Sequence, residues 1–216
     1  MGLHQYLSSL NDLEKIYRAP GYFKFEQHSV AAHSFRVAEV AQLLGDLESL
    51  AGISVDWRMI YEKSLNHDYT ERFIGDIKTP VKYASSELRK MLSTVESSMT
   101  DNFIEHEIPS QLQATFRRRL SEGKDDSLEG KILSVADKLD LLYESFGEIQ
   151  KGNPEDVYFS MFEESLTTIL KFQELYSVRY FVHKILPELL AEDFLYHERL
   201  SKIATTIMDS VELDEL

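Results

Sequence analysis

Apolar residues recur at three- and four-residue intervals along almost the whole chain, and this spacing limits the possible folds more than any other feature of the sequence. Such a period places apolar side chains on one face of an α-helix. The clearest stripe is formed by Ile132, Val135, Leu139, Leu142 and Phe146. We find no internal repeat and no turn signal typical of a β-hairpin. The sequence therefore predicts an all-α fold.

Capping and helix-breaking residues indicate where the helices begin and end. The first amphipathic helix is predicted to end near Arg18, where an Ala-Pro-Gly sequence follows. Ser29 is the predicted N-cap of a long second helix, and Gly45 and Gly52 mark the predicted end of that helix. The third helix is predicted to end just before a His-Asp pair.

We predict that residues 1–216 form a single domain. Its motif-bearing core covers about residues 1–150, and a helical extension covers about residues 154–210. A Gly-Asn-Pro sequence at 152–154 separates the two parts.

The net charge of the chain limits the classes of molecule that it is expected to bind. With 23 basic and 37 acidic residues the net charge is −14, which argues against a protein that binds nucleic acid polymers. A small phosphorylated substrate remains compatible, because a bound metal and one or two arginines can reverse the local field. The absence of cysteine excludes disulfides and thiolate metal sites.

Targeting and membrane signals are absent from the sequence. No run of about 18 apolar residues occurs, so we expect no membrane-spanning segment. The first residues lack the basic and apolar regions of a signal peptide, so we expect a cytoplasmic protein.

The His67–Asp68 pair offers a ring nitrogen and a carboxylate oxygen, both of which are ligands for divalent metals. The pair alone carries little information, because roughly half of one such dipeptide is expected by chance in a chain of this composition. The spacing from Asp68 to Glu71 also fits a capping box at a helix start. Both interpretations remain open at this point.

Two further residues could complete a metal site. His33 lies on or beside the apolar stripe of the second helix, where the alternative is a core histidine bonded to a carbonyl. Asp137 is embedded in an apolar helix, where a carboxylate is costly unless it is paired or bound to metal. Asp140 is the rival one turn later, but Lys138 and Glu144 indicate that its side of the helix faces solvent.

Two imidazoles and two carboxylates would suit a divalent ion that keeps coordination positions for water, whose pKa such an ion lowers. Glu71, one turn beyond the His-Asp pair, is placed for general acid or base work. Arg18 could grip a phosphate with two hydrogen bonds. Its alternative is a surface arginine that ends a helix, favoured by the helix dipole.

The order of His33, His67–Asp68 and Asp137, all on predicted helices, resembles the H…HD…D signature of HD-domain metal-dependent phosphohydrolases. The resemblance is closer still to the bacterial HD-domain 5′-deoxynucleotidases and covers about residues 1–150. The run Gly-Asp-x-x-Thr-Pro-Val-Lys-Tyr is its most specific part. The matching segments are 17–20, 32–34, 67–71, 75–83 and 136–137.

This resemblance implies a compact HD-domain helical bundle with additional C-terminal helices. The implied reaction is hydrolysis of a nucleoside 5′-monophosphate to nucleoside and phosphate. Glu71 would assist the attacking water, and Arg18 would hold the phosphate. The implied metal ligands are His33, His67, Asp68 and Asp137. The remaining expected substrate contacts are Ala19 and Asp76, which would face the sugar, together with Thr79 and Lys82.

We expect one metal per chain. Two-metal HD enzymes need additional histidines, whereas Asn66 precedes His67 and only His106 lies between Asp68 and Asp137. The donor set accepts Mn, Co, Fe, Ni or Zn. The resembling family also suggests a homodimer.

One position departs from that family, and other functions remain open. The family carries a Trp, which helps to exclude the ribose 2′-hydroxyl, where this chain has Ala19. An alanine leaves a larger pocket and weakens the expected preference for deoxyribose. The alternatives are an HD hydrolase of another phosphoester, such as a triphosphate, a pyrophosphate or a signalling nucleotide, and a non-catalytic helical module with a structural metal.

Overall fold

The protein is described by a computed structural model that covers residues 3–77, 79–82, 84–121 and 123–211, with the backbone alone at 79 and 80. Helices dominate these residues, and no β-strand occurs among them. One isolated antiparallel bridge joins Tyr17 and Ser29. The prediction of an all-α fold is confirmed.

The helices are α1 (Leu3–Ser9), α2 (Val30–Leu50), α3 (Trp57–Asn66), α4 (Glu71–Ile74), α5 (Thr79–Lys82), α6 (Ser86–Glu107), α7 (Ser110–Ser121), α8 (Leu128–Gln150), α9 (Asp156–Ile169), α10 (Tyr176–Tyr180), α11 (Leu186–Leu190) and α12 (His197–Asp209). Short 3-10 turns follow α1 at Leu10–Asp12 and α9 at Leu170–Phe172. A π-helical turn at Phe181–Ile185 lies between α10 and α11. None of the helices in the described ranges is long and apolar enough to cross a membrane.

Three serines cap the longest helices. The Ser29 hydroxyl accepts a hydrogen bond from the Ala32 N–H at the start of α2, as predicted. Ser85 and Ser127 do the same for α6 and α8. These bonds satisfy N–H groups that have no partner within the first helical turn.

One predicted helix end is wrong, and a second is right only in part. The first helix ends at Ser9 and is followed by a 3-10 turn to Asp12, whereas Arg18 lies outside the helices and its N–H donates to the carbonyl of His28. The second helix continues through Gly45 to Leu50, so Gly52 marks its end as predicted and Gly45 does not. A Cβ at Gly45 would lie 3.0 Å from the Trp57 ring, so this glycine permits a close approach and does not end the helix.

The chain divides into two compact units. The first contains the described residues of 1–22, 27–35 and 62–123. Its buried core is made mainly of aromatic and branched side chains from α6 and α7, from the segments around the start of α2 and after the first 3-10 turn, and from the turn before α4. The core residues are Leu13, Val30, Tyr69, Phe103, Ile104, Ile108 and Phe116.

The second unit contains the described residues of 23–26, 36–61 and 124–216. Helix α8 packs against α9, and α12 packs on α9 as well. The predicted stripe of α8 is buried from Ile132 to Phe146, as its period requires. The expectation of one domain over the whole chain stays a prediction.

Candidate active site

Helices α3 and α4 present the His-Asp pair on the short turn that joins them. Helix α3 ends at Asn66, and α4 begins at Glu71. The Asn66 carbonyl accepts from the Tyr69 N–H at 3.1 Å, which closes the turn. Tyr69 is buried in the core of the first unit, so His67 and Asp68 are anchored from the residue that follows them.

Three predicted metal ligands come together in the first unit. His33 Nε2 lies 3.1 Å from His67 Nε2, and Asp68 Oδ2 lies 3.2 Å from the first and 3.3 Å from the second. Ligands bound at about 2.1 Å to one ion are separated by about 3.0 Å at octahedral right angles and about 3.4 Å at tetrahedral angles. The observed spacings fall in this interval, so the three donors fit a single divalent cation.

A backbone carbonyl sets the proton position on His67. His67 Nδ1 lies 2.7 Å from the Ser64 carbonyl, which can only accept, so Nδ1 carries the hydrogen. Nε2, which faces His33 and Asp68, is therefore the ring nitrogen left to coordinate a metal. A ligating histidine normally donates its second ring N–H to such an outer partner. This arrangement supports the metal-site interpretation.

The alternative role of Asp68 in a capping box is not observed. The N-cap of α4 is Thr70, and no side chain caps this helix start. The Asp68 carboxylate instead contacts both imidazoles and Arg18. Burial opposes ionisation of Asp68, but the charges and hydrogen bonds of His67 and His33 outweigh it and hold its pKa well below the usual range.

Asp137 and Asp140 lie one turn apart on α8, in the second unit. Asp137 is buried and forms an ion pair with Lys124. Asp140 is 4% exposed and accepts from Arg36 Nε at 2.5 Å and Nη2 at 3.0 Å. The expectation that Asp140 faces solvent was wrong, because Arg36 lies opposite it and compensates its burial. The role of Asp137 as a fourth ligand stays a prediction.

Arg18 extends to the metal-donor cluster. Its Nη1 lies 3.3 Å from Asp68 Oδ2, and its side chain is 14% exposed. The alternative of a surface arginine at a helix end is wrong, because α1 ends well before Arg18, at Ser9, and the Arg18 side chain is mostly buried. The guanidinium therefore lies where a phosphate bound at the cluster would need a counter-charge.

Ala19 and Asp76 are in direct contact. The Ala19 N–H donates to Asp76 Oδ2 at 2.6 Å. Ala19 has a φ of 47°, a left-handed conformation that is costly for alanine. Gly75 has φ 75° and ψ 172° at the end of α4, a conformation that is almost confined to glycine, and it directs Asp76. Uncommon backbone conformations thus position both residues that were expected to face the sugar.

The carboxyl group of Glu71 lies in a setting that favours its neutral form. Glu71 is half-buried, and its Oε2 has no hydrogen-bond partner among the described residues. Burial, together with the negative charges of Asp68 and Asp76, raises its pKa to about 8 against the opposing effect of Arg18 and His33. A carboxyl with such a pKa exchanges its proton near neutral pH.

The most specific matching segment is described in part. Residues 78 and 83 lie outside the described residues, as does the side chain of Thr79. Lys82 is half-buried in α5. Contacts of Thr79 and Lys82 with a substrate stay predictions.

Two contributors to the site were not identified from the sequence. The Ser64 carbonyl could have been found, because it lies one helical turn before His67 and a terminal helix carbonyl is available there. Glu96, which bonds to Thr70 beside the pair, could not be distinguished by sequence from the other acidic residues of α6.

Comparison with known proteins agrees with this geometry. A model of the family described as 5′-deoxynucleotidase YfbR-like matches residues 5–189. A 5′-deoxynucleotidase of Pasteurella multocida is 25% identical over 190 residues, which are 87% of this chain and 94% of that protein. The 5′-deoxynucleotidase YfbR of Escherichia coli is 26% identical over 183 residues, 84% of this chain and 90% of that protein.

One solved structure is more similar to this chain than these two relatives are. The crystal structure of an HD-domain phosphohydrolase from Listeria innocua is 57% identical, with a TM-score of 0.91, and covers 98% of this chain and 100% of that one. The resemblance identified from the sequence motifs is confirmed. The chain therefore belongs to the YfbR-like family, and it is a phosphohydrolase of the HD-domain class.

Proposed function

We propose that the protein hydrolyses nucleoside 5′-monophosphates to nucleoside and phosphate with the help of one divalent transition metal. One observation carries the proposal. The donor atoms of His33, His67 and Asp68 converge beside the guanidinium of Arg18, in the same unit as a carboxyl, Glu71, whose pKa lies near neutrality. The relatives that are named 5′-deoxynucleotidases support the substrate class.

The metal would be held by His33, His67 and Asp68, with Asp137 as the proposed fourth ligand. Imidazole and carboxylate donors accept Mn, Co, Fe, Ni or Zn, so the donor set leaves the ion open among these. When bound, such an ion polarises the phosphoryl group and lowers the pKa of a coordinated water. Three donors spaced about 3.2 Å apart suit a single ion, and we propose one metal per chain.

The residues of the chain supply binding and proton transfer. In the net reaction a water oxygen bonds to phosphorus, the bond from phosphorus to the 5′-oxygen breaks, and one proton passes from the water to that oxygen. Glu71 can take up and return this proton, because its pKa of about 8 lies close to the working pH. Arg18 can donate to phosphate oxygens and neutralise their charge. Its present contact with Asp68 holds the guanidinium at the cluster.

The sugar would be recognised by Asp76 and the backbone at Ala19. Asp76 holds the Ala19 N–H through one oxygen and could accept from a sugar hydroxyl through the other. Thr79 and Lys82 are proposed as further substrate contacts. Because Ala19 replaces the tryptophan of the resembling family, we propose that ribonucleotides are accepted beside deoxyribonucleotides.

The experiment is a phosphate-release assay on purified protein with Mn²⁺ or Co²⁺ and a panel of ribo- and deoxyribonucleoside 5′-monophosphates. The same panel with di- and triphosphates separates phosphate from pyrophosphate and triphosphate as product. Phosphate from monophosphates, abolished by chelator, is expected. The proposal fails if no nucleotide is hydrolysed while the bound metal is confirmed by elemental analysis.

The proposal also includes the cellular location and the oligomeric state of the protein. We propose a cytoplasmic location. We also expect a homodimer, on the ground of the family resemblance. Light scattering at low micromolar concentration tests the second expectation.

A further inference from the structure

The turn that carries His67 and Asp68 has little internal support. Helix α4, which follows it, contains only four residues, and a helix this short is not stabilised by its own hydrogen bonds. The backbone hydrogen bonds of the turn are local, such as the one from the Glu71 N–H to the Asp68 carbonyl. Its orientation must therefore come from contacts with other elements of the first unit.

Aromatic packing fixes one side of the turn. Tyr69 is buried, and its ring centroid lies 5.8 Å from that of Phe103 on α6. Arg72 donates to the Tyr69 hydroxyl at 2.7 Å, and its guanidinium lies 4.9 Å from the Phe103 ring centroid. The ring packing is largely non-directional, so it fixes position better than orientation. The hydrogen bonds of the Tyr69 hydroxyl, with Arg72 and Ser9, do not involve α6.

A directional contact with α6 is made by Thr70. Its hydroxyl donates to the Glu96 carboxylate on α6, and Thr70 itself is buried. Thr70 occupies the N-cap position of α4 but has helical angles, φ −69° and ψ −16°, and its side chain does not cap the helix. A hydroxyl that normally serves a helix start is used here to bind a neighbouring helix. A bond from a hydroxyl to a carboxylate is charge-assisted and stronger than a neutral one.

We propose that Thr70 and Glu96 are positioning residues for the active site. Their hydrogen bond fixes the turn on α6, and the turn sets the orientation of Asp68 on one side of Thr70 and of Glu71 on the other. Glu96 acts through Thr70 and has no role in proton transfer. The inference rests on the proposed function where turnover is concerned, whereas its effect on metal binding can be measured without substrate.

The test compares the Co²⁺ affinity of metal-free variants by spectroscopic titration. Thr70→Val keeps the side-chain shape and loses the hydroxyl, and Glu96→Ala loses the acceptor. Each should raise the Co²⁺ dissociation constant about tenfold, the lower end of the effect of outer-shell partners. The double variant should be no weaker than either single variant, because both changes remove the same bond.

Conservative variants should rescue the effect. Thr70→Ser retains the hydroxyl and should stay within about threefold of the unmodified protein. Glu96→Gln retains an acceptor oxygen without the charge, so its dissociation constant should lie between those of the unmodified protein and Glu96→Ala. Because it keeps the size of the side chain, Glu96→Gln also provides the measurement if Glu96→Ala does not fold.

Two matched controls lie on the same helix. Thr94 donates to the Lys90 carbonyl at 2.9 Å, and Glu105 accepts from Arg117 at 3.1 Å, both at exposed positions of α6. Thr94→Val and Glu105→Ala should bind Co²⁺ like the unmodified protein. The inference is overturned if folded Thr70→Val and Glu96→Ala do so as well, because a lower melting temperature with unchanged affinity would indicate a purely structural bond.

Turnover gives a second measurement. With saturating metal, kcat of Thr70→Val should fall about tenfold while KM changes less than about twofold, because the bond orients reacting groups and does not contact the substrate. If the unmodified protein binds Co²⁺ but releases no phosphate, the proposed function fails. The inference about Thr70 and Glu96 is then still decided by the Co²⁺ dissociation constants.

Discussion

The protonation of Glu71 links the chemistry of the site to the stability of the fold. Its pKa is raised from an ordinary value of 4.5 to about 8, chiefly by burial. Below pH 4.5 both the folded and the unfolded chain carry the proton, so the preference for the neutral form contributes fully to stability. Between these pH values the unfolded chain ionises while the folded chain keeps its proton, and the free energy of unfolding falls as pH rises.

Glu71→Gln should therefore separate activity from stability. The amide cannot exchange a proton, so kcat should fall by about 10²–10⁴ while Co²⁺ still binds. In chelator, the melting temperature of the variant should exceed that of the unmodified protein at pH 8, and the difference should shrink towards pH 5. Thermal scans across this range provide the measurement. Equal melting temperatures at every pH would contradict the assigned environment of Glu71.

Ala19 offers a test of sugar discrimination. Ala19→Trp introduces the residue of the resembling family beside Asp76, and it should raise the ratio of kcat/KM for deoxyribonucleotides over ribonucleotides by at least about tenfold, the effect of roughly 1.4 kcal/mol. Steady-state kinetics on one matched pair of monophosphates measures the ratio.

The control for this change is Ala19→Gly. Glycine adopts the observed φ of 47° without strain and adds no bulk, so the ratio should not rise. If Ala19→Trp left the ratio unchanged in a folded and active protein, Ala19 would not border the sugar.

At the scale of single elements, two glycines with open space around them should respond in opposite ways to alanine. Gly75 ends α4 with a φ of 75°, whereas Gly147 lies within α8, and an added Cβ meets nothing within 4 Å at either position. Gly75→Ala should lower the free energy of unfolding by about 1–3 kcal/mol. Gly147→Ala should raise it by about 0.5–1 kcal/mol. Chemical denaturation measures both.

Activity distinguishes the two glycine variants further. Gly75 directs Asp76, so Gly75→Ala should also raise KM for the nucleotide, while Gly147→Ala should leave KM unchanged. A stable Gly75→Ala variant with normal KM would remove the link between this backbone conformation and substrate binding.

The elements show why the sequence could predict some helices better than others. The α8 stripe from Ile132 to Phe146 is readable because helix period and burial coincide there. The path of the chain after α1 cannot be read in this way, because contacts between separate segments shape it, such as the bond from the Arg18 N–H to the His28 carbonyl. The burial of Asp140 likewise depends on Arg36, 104 residues away, and no local pattern carries that information.

The same limit applies to the candidate site. His33, His67 and Asp68 could be predicted because a metal demands particular donor types, which the sequence displays. The contact between Thr70 and Glu96 could not be predicted, because the sequence does not show which acidic residue of α6 would face Thr70. The pKa of Glu71 also depends on burial, which only the packed structure defines.

For the whole molecule, the net charge of −14 makes the specificity of metal binding a question in its own right. An acidic surface attracts any divalent cation, whereas two imidazole donors select transition metals over Mg²⁺. Metal binding to the folded protein should therefore raise the melting temperature far more with Co²⁺ than with Mg²⁺ at equal concentration.

The size of the Co²⁺ effect follows from mass action. At a free concentration of 100 times the dissociation constant, the free energy of unfolding rises by about 2.7 kcal/mol, which corresponds to about 5–11 °C for a chain of this length. Chelator should reverse the shift and abolish phosphate release together. The His33→Ala variant should lose the Co²⁺-dependent rise in melting temperature. The control variant Asp46→Asn, at an exposed position, should keep it.

The variant Asp137→Asn tests whether Asp137 is the fourth metal ligand. An amide is a weaker and uncharged donor, so the variant should lose most of the Co²⁺-dependent rise in melting temperature, measured against its own metal-free baseline. Loss of the Lys124 ion pair lowers that baseline by itself, which is why the comparison is made within each variant. A full Co²⁺ shift in Asp137→Asn would mean that Asp137 is not a metal ligand.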